Sequence, residues 1–491
     1  MKNALNNKNT EYVFFGNNPE HRMLAADIYG KSGSTAKILF VGSAQSFVDE
    51  QWKDFERRVR AKTVEFDSDM FAFSDRQIKR FFSGDRSEFF FISKNADRNA
   101  SLSSQIMRAA KKCGATFDDF SMYVAPNWEE IERFLITCQN DILAAFDVKL
   151  VNPSRLAAYT LSKKFRPVDA MVFDPETLRA KKDIKVAVVG FTRDSREAML
   201  KTYEQGRFEG AKFLADVFDV SVRAKCRPFA EKFSGLMRDA EFSEIESNPS
   251  DLARKANFGK YDLVIADLND ESATADFTRR VQERLIESFN AETTLAPFLE
   301  TTLLDTESMP NVQPFGSLES VYSVDAIIAD AFTSGGRFVN DYYNKTKLDS
   351  MKMKNWIGMT DFERGSNISV ADFNYSFVKM IGRETFGKFA DGNEYRAWLR
   401  ANPVKYDTLA RTEHLRWCAY LYSRGWDKLE LSSEIMVENK DIDKKLHTCL
   451  VPFDELGPVS EMFGEDYEKY DRDNVDIVFE LNKILTARQS V

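Results

Sequence analysis

Scarce residue types gather near the C-terminal end of this chain. Glu413-His414-Leu415-Arg416-Trp417-Cys418 is followed by Gly425-Trp426 and then by His447-Thr448-Cys449-Leu450-Val451-Pro452-Phe453. The chain has 3 histidines and 6 tryptophans, and two of each stand in this stretch. An imidazole donates and accepts hydrogen bonds, and an indole offers a flat apolar face. Together they can build a recognition pocket. Trp417 or Trp426 would stack on a planar ligand while Glu413 and His414 hydrogen-bond its edge. His447 and the turn fixed by Pro452 would lie over it. A cationic planar group would gain roughly 0.5–2 kcal/mol on a tryptophan face. Helical spacing puts His414, Trp417, Cys418 and Leu421 on one face. The same face equally suits a core stripe with His414 as a buried, hydrogen-bonded histidine. His414, Cys418, His447 and Cys449 also form a set of four N/S zinc ligands. The long gap from Cys418 to His447 and the i, i+2 spacing of His447 and Cys449 argue against it, and no metal is expected.

A second kind of chemistry is suggested where an apolar run ends in glycine. Lys37 to Gly42 is followed by Ser43, and Lys185 to Gly190 by Phe191, Thr192 and Arg193. A strand that ends in glycine and feeds a helix turns free N–H groups toward an anion. Gly42, Ser43, Gly190, Thr192 and Arg193 are therefore candidates for holding a phosphate, with NAD(P) or another nucleotide as the cofactor. Asp67 lies where a ribose-binding acid would fall after the first glycine. Arg223 and Arg227 fill the comparable zone of the second and suit a phosphate better. Each turn keeps only the first glycine of G-x-G-x-x-G, so each also reads as a purely structural α/β turn.

No nucleophile–base constellation has a local signature: there is no G-x-S-x-G elbow, and three histidines leave few general bases. No catalytic residue is assigned. An enzyme that consumes a nucleotide or NAD(P) in the α/β clefts stays open as an alternative.

The elements that would position these residues follow from hydrophobic pattern. Continuous apolar runs such as Phe89-Phe90-Phe91-Ile92, Ser121 to Ala125, Asp147 to Val151, Lys185 to Val189 and Tyr261 to Ala266 read as buried parallel strands. Helical stretches separate them. The fold class expected is α/β, with two tandem Rossmann-like, doubly wound parallel sheets followed by a mainly helical domain. The divisions expected are an N-terminal extension over 1–34, α/β domains over 35–180 and 181–310, and the helical domain over 311–491. Pro310, Pro314 and Gly316 mark the last boundary. Ser366 and Asn367 are expected to cap a helix starting near Val370.

Length and composition set the limits. A chain of 491 residues holds several domains, and 41 phenylalanines supply a strongly aromatic core. A net charge of −9 excludes the broad basic footprint of a nucleic-acid binder. Five scattered cysteines with no C-x-x-C pair fit a reducing, cytoplasmic setting. The polar start MKNALNNKNTEY lacks a signal core, and no apolar run is long enough to span a bilayer. A soluble protein without membrane insertion is expected.

Two family resemblances add to this reading. Glu413-His414-x-x-Trp417, Gly425-Trp426, His447 and Val451-Pro452-Phe453 with Leu456 resemble the bacterial form of the ryanodine-receptor-type repeat (RyR) domain. Trp356, Ser366-Asn367, Lys379 to Gly382 and Tyr470-Asp471-Arg472 are similar to its flanking segments. Phe91-Ile92-Ser93, Asp97-Arg98-Asn99 and the stretch from Asp147 to Ala158 resemble the nucleotide-binding (TrkA-N) domains that regulate potassium transport. These resemblances imply a ligand sensor or regulator that binds a nucleotide or nucleotide-derived small molecule, in bacterial nucleotide signalling or phage defence, and a homodimer. A regulatory component of a membrane transporter or channel is the third reading they allow.

Overall fold

Six short apolar runs assemble side by side in the first half of the chain. In the computed structural model, which describes residues 10–32, 35–65, 86–112, 114, 120–127, 147–290, 292–328, 333–345, 356, 359–431 and 438–487, they form one sheet. Its strands are β1 (Thr10–Phe15), β2 (Lys37–Gly42), β3 (Lys62–Glu65), β4 (Arg86–Phe91), β5 (Phe120–Val124) and β6 (Asp147–Leu150). Their order is β3-β2-β1-β4-β5-β6, and every pairing is parallel. This is the doubly wound order of dinucleotide-binding sheets, with the switch point between β1 and β4.

Phenylalanine does much of the packing here. Phe40, Phe14, Phe90 and Tyr123 are register partners on four adjacent strands. Their rings stack at 4.9, 4.7 and 4.8 Å. Such pairs add about 0.5–1.5 kcal/mol each beyond area burial. Trp52 and Phe55 of the helix Glu50–Val59 close on Phe40 from outside. On the other face Phe15, Phe89, Phe91, Met122 and Val124 meet Leu102, Ile106 and Met107 of the helix Ala96–Lys112.

Residues 10–32 of the expected extension over 1–34 belong to this α/β unit. They supply β1, the central strand, and the helix Pro19–Ser32. The first compact unit also takes back a later piece, residues 317–331. There the Val324 N–H donates to Asp27 (2.7 Å), and Lys31 pairs with Asp325 (3.0 Å).

The second unit comprises residues 157–316 and 332–491. Its sheet holds β7 (Ile184–Val189), β8 (Phe213–Asp219), β9 (Glu241–Glu246), β10 (Leu263–Ala266) and β11 (Thr294–Pro297) in the order β11-β10-β7-β8-β9, again all parallel. The segment expected to be a linker near Pro310 continues this sheet. Val312 bridges Leu295 and Phe315 bridges Phe298 beside β11. Nor does the chain break between this sheet and the helices that follow. Val168, Leu178 and Phe208 share one core cluster with Phe373, Phe377, Leu399, Leu409 and Phe479.

The helical region is built mainly from Asp361–Ile381, Gly392–Ala401, Pro403–Tyr422, Tyr467–Asp476 and Val478–Ala487. The first of these starts earlier than expected. Thr360 caps it in a reciprocal capping box with Glu363, and Asn367 sits inside the helix, donating to the Glu363 carbonyl. A small sheet interrupts the helices: β12 (Asp427–Lys428), β13 (Lys440–Asp441) and β14 (Leu446–His447) in the order β12-β14-β13. Among the described residues no helix is long and apolar enough to cross a membrane. The α/β class with two parallel sheets and a helical C-terminal region is thus the fold.

Candidate functional site

The glycine turn of the first sheet is not the expected one. Gly42 ends β2, which is not the central strand, and Ser43 follows it. A 3-10 turn, Ala44–Phe47, comes next, and Ser43 Oγ bonds Ser46 Oγ at 2.9 Å. The turn at the switch point is Gly16-Asn17-Asn18, with Gly16 at φ +117° and Pro19 opening the helix. His21, wholly buried, spans it. Its Nε2 accepts the Ile92 N–H at the end of β4 (3.2 Å), so its proton sits on Nδ1 and is donated to the Gly16 carbonyl (3.0 Å). Burial pulls its pKa down to about 4. The third histidine of the chain is thus a neutral cross-tie between the two strands that flank the crevice. A glycine after Tyr12-Val13-Phe14-Phe15, with proline three residues on, was the signal for it. Asp67 lies outside the described residues.

The second turn, after β7, is where it was expected, and its Phe191 N–H, Thr192 hydroxyl and Ser195 are spent internally. Gly190 has φ +81°, and a Cβ there would lie 1.8 Å from the Asp267 carbonyl oxygen. Thr192 caps the helix Arg193–Gln205 in a reciprocal pair with Ser195. The Phe191 N–H, which in a nucleotide site would face a phosphate, donates to Asp219 Oδ2 at 2.8 Å. The Thr192 hydroxyl donates to Asp267. Asp219 ends β8, binds Lys225 at 2.6 Å and also accepts the Ser221 N–H (2.9 Å). Burial raises the Asp267 carboxyl above its ordinary value against its hydrogen bond from Thr192. A pyrophosphate would meet two carboxylates of the chain itself. Arg223 and Arg227 do not offset them: both are exposed, and Arg227 pairs with Glu231 on its own helix (3.2 Å). Arg193 opens the helix, and its Nη2 is buried with no hydrogen-bond partner among the described residues.

In the helical region, Glu413 and His414 point inward. Glu413 is fully buried and takes three donors: Arg416 Nε (2.8 Å), Arg416 Nη2 (2.7 Å) and Asn474 Nδ2 (2.7 Å). Burial pushes its carboxyl up against the pull of Arg416, but an acceptor of three bonds is the ionised form. His414 lies between two acceptors, Asp471 Oδ2 at 3.0 Å from Nδ1 and the Val451 carbonyl at 2.8 Å from Nε2. Both ring nitrogens must donate, so this is an imidazolium. Burial opposes the charge, yet Cys418 and Asp471 hold the pKa well above the ordinary histidine value. The two residues expected to read a ligand edge instead tie two helices and the segment at Val451 together. Asp471, from the segment Tyr470-Asp471-Arg472, is the partner that sequence could not pair with His414 across 57 positions. The zinc alternative is not assembled, and among the described residues no three His, Cys, Asp or Glu side chains group as metal ligands.

The remaining candidates do come together around β14. The His447 and Trp417 rings meet at nearly a right angle (ring centroids 5.1 Å), and His447 lies 6.3 Å from Trp426. His414 stacks behind Trp417 at 5.8 Å. Trp426 is buried against Phe362 (5.1 Å) and forms the back wall, whereas Trp417 is only half-buried. His447 Nδ1 accepts the Cys449 N–H (3.1 Å), which leaves the ring proton on Nε2. Burial and the nearby Lys440 lower its pKa to about 4, so it is neutral. Among the described residues this Nε2–H meets no acceptor.

Strand register adds what sequence did not show. His447 pairs with Lys440 on one side and Lys428 on the other, and cross-strand partners share a face. Lys428 reaches Glu430 at 3.2 Å, whereas Lys440 has no ion-pair partner among the described residues. Pro452 is exposed at the start of the turn Phe453–Glu455. The arrangement offers a partly exposed tryptophan between two imidazoles, one neutral N–H donor and two ammonium groups on neighbouring strands. Chemically that suits a planar group carrying negative charge.

No family model matches the chain, and neither does any curated protein. The matches to three solved structures cover most of those chains' own length. A dipicolinate synthase chain from Bacillus halodurans is 12% identical, with 64% of this chain and 94% of that one covered at a TM-score of 0.23. A shikimate dehydrogenase in complex with NADP+ is 13% identical, with 71% and 94% covered at 0.29. D-lactate dehydrogenase from Escherichia coli is 12% identical, with 63% and 98% covered at 0.22. Scores this low add nothing to the strand orders given above, which carry the fold.

Proposed function

We propose that the protein is a ligand sensor that binds a nucleotide or nucleotide-derived small molecule at the β14 face of its helical region. The observation that carries this is the register of His447 between Lys428 and Lys440 beside the half-buried Trp417. A base would pack against the exposed part of Trp417, accept the His447 Nε2–H and leave its phosphate to Lys440. Base–indole stacking contributes about 1–3 kcal/mol. The dinucleotide-type sheets accord with a nucleotide ligand. The second turn, however, presents Asp219 and Asp267 where phosphates would go, which speaks against a dinucleotide enzyme at that cleft.

A readout is built into the same helix. Trp417 lies on Pro403–Tyr422, and the residues just past its end bind the helix that follows the glycine turn. Ser423 Oγ donates to Glu204 at 2.6 Å, and Arg424 pairs with Glu204. A ligand that shifts this helix favours one packing of the second unit over another by its differential affinity. The reading agrees with the RyR-type resemblance and its implied role in nucleotide signalling or phage defence.

The test is thermal denaturation of the full chain with NAD, NADP, ADP-ribose, ATP and cyclic di- and oligonucleotides, repeated with Trp417→Ala. Ligand at a hundred times its dissociation constant stabilises by about 2.7 kcal/mol. A shift abolished by Trp417→Ala supports the site. A shift retained in Trp417→Ala, or none with any compound, overturns it.

A further inference from the structure

The helix Glu271–Glu287 ends in a way that fold stability alone does not explain. It closes with a Schellman turn, in which the Asn290 N–H donates to the Leu285 carbonyl (2.9 Å) and the Phe289 N–H to the Ile286 carbonyl (3.1 Å). The residue at the left-handed position of such a turn is normally glycine, because a Cβ strains it. Here it is Phe289, at φ +57°. Its ring is also 95% exposed, the highest value among the described large apolar side chains, and Ile286 on the turn before it is 58% exposed. The position therefore carries two unfavourable features at once, a strained backbone and a bare aromatic ring.

A hole lies beside this knob. A cavity of about 330 Å³ opens between Phe258–Lys260, the helix Pro249–Lys255 and the last turns of Glu271–Glu287. Ala253, Phe258, Val281 and Leu285 form its apolar floor, and Arg284 and Glu287 stand at its rim. Phe258–Lys260 precedes β10, so the patch is at the strand-start edge of the second sheet. The glycine turn is at the opposite edge.

We propose that this patch is a two-fold interface in which Phe289 of each copy enters the cavity of a second copy of this chain. A two-fold contact is self-complementary, so it needs knob and hole on the same patch. A foreign partner would need only one of them. Arg284 is engaged within the chain, where its Nη1 donates to the Ala253 and Ala256 carbonyls (3.0 and 3.1 Å), and so fixes the cavity wall against which the ring would pack.

The test is sedimentation equilibrium of the full chain from roughly 1 to 100 μM, a span that brackets micromolar dissociation constants. Phe289→Gly and Ala256→Leu are compared with the parent. Glycine accepts the left-handed turn, so Phe289→Gly keeps or raises the melting temperature. Loss of an aromatic hot spot weakens association about thirtyfold. Ala256→Leu narrows the mouth of the cavity and weakens association without touching the turn. A parent chain that dimerises, with both variants weakened and Phe289→Gly at unchanged or higher melting temperature, supports the interface. A parent that is monomeric throughout overturns it. So does a dimer that survives Phe289→Gly intact.

Discussion

The glycine turn after β7 and the small sheet around β14 are both places where sequence suggested a bound ligand, and they end up opposite in character. At the turn, Phe191 N–H, the Thr192 hydroxyl and Ser195 all find partners inside the chain, two of which are carboxylates. At β14 a histidine N–H and a lysine are left without partners among the described residues, beside half-buried Trp417. A site is thus marked by what its polar groups lack. Residues that resemble a ligand-binding motif but are fully satisfied belong to the architecture.

If this contrast holds, changes at the turn should unfold the protein and changes at β14 should not. The largest effect is expected from Gly190→Ala. Its Cβ would sit 1.8 Å from a backbone oxygen at a positive φ, and the loss should exceed about 4 kcal/mol in urea unfolding. A mild effect would mean the turn is loose enough to admit a ligand.

Next comes His414→Ala, which leaves Asp471 buried without its cation and should cost about 3–5 kcal/mol. The folded-state pKa of His414 is raised, so its contribution is complete below the unfolded value of 6.5 and fades as pH rises through the folded one. Urea midpoints of the parent and of His414→Gln should therefore draw together with rising pH. Parallel curves would show that His414 is not charged.

His21 has the opposite sign. Its folded pKa of about 4 lies below 6.5, so about 3 kcal/mol is present above pH 6.5 and is lost as pH falls toward 4. His21→Leu should be the less stable protein at pH 7 and approach the parent near pH 4.

Trp417→Ala should remove about 1–3 kcal/mol of ligand binding, measured by calorimetry, and alter urea stability less than Gly190→Ala does. Lys440→Ala is the mildest. It should weaken binding about fivefold and flatten its dependence on salt, consistent with an exposed charge contributing roughly 1 kcal/mol.

Sequence reached some of this and missed the rest for physical reasons. β10 is an unbroken apolar run, and β4 and β7 end in one, so all three read directly. β3 and β9 do not: KTVE and EFSEIE carry the charges that suit a sheet edge. β1 was hidden by its polar lead-in, and with it the true first turn and His21. At the candidate site, residue type picked out Trp417, Trp426 and His447. Helical periodicity could not say that His414 turns toward Asp471 rather than toward a ligand, since that depends on a partner far along the chain. Lys428 and Lys440 were invisible because strands of two residues leave no pattern.

The path of the chain also governs how the molecule is made. Residues 317–331 return to the first unit, where Asp325 pairs with Lys31. The second sheet is thus inserted within the first unit rather than appended to it. On the ribosome, the first sheet's strands emerge early but wait for the whole second sheet before their last contacts can form. A fragment ending at residue 156 would lack those contacts however well its six strands pair.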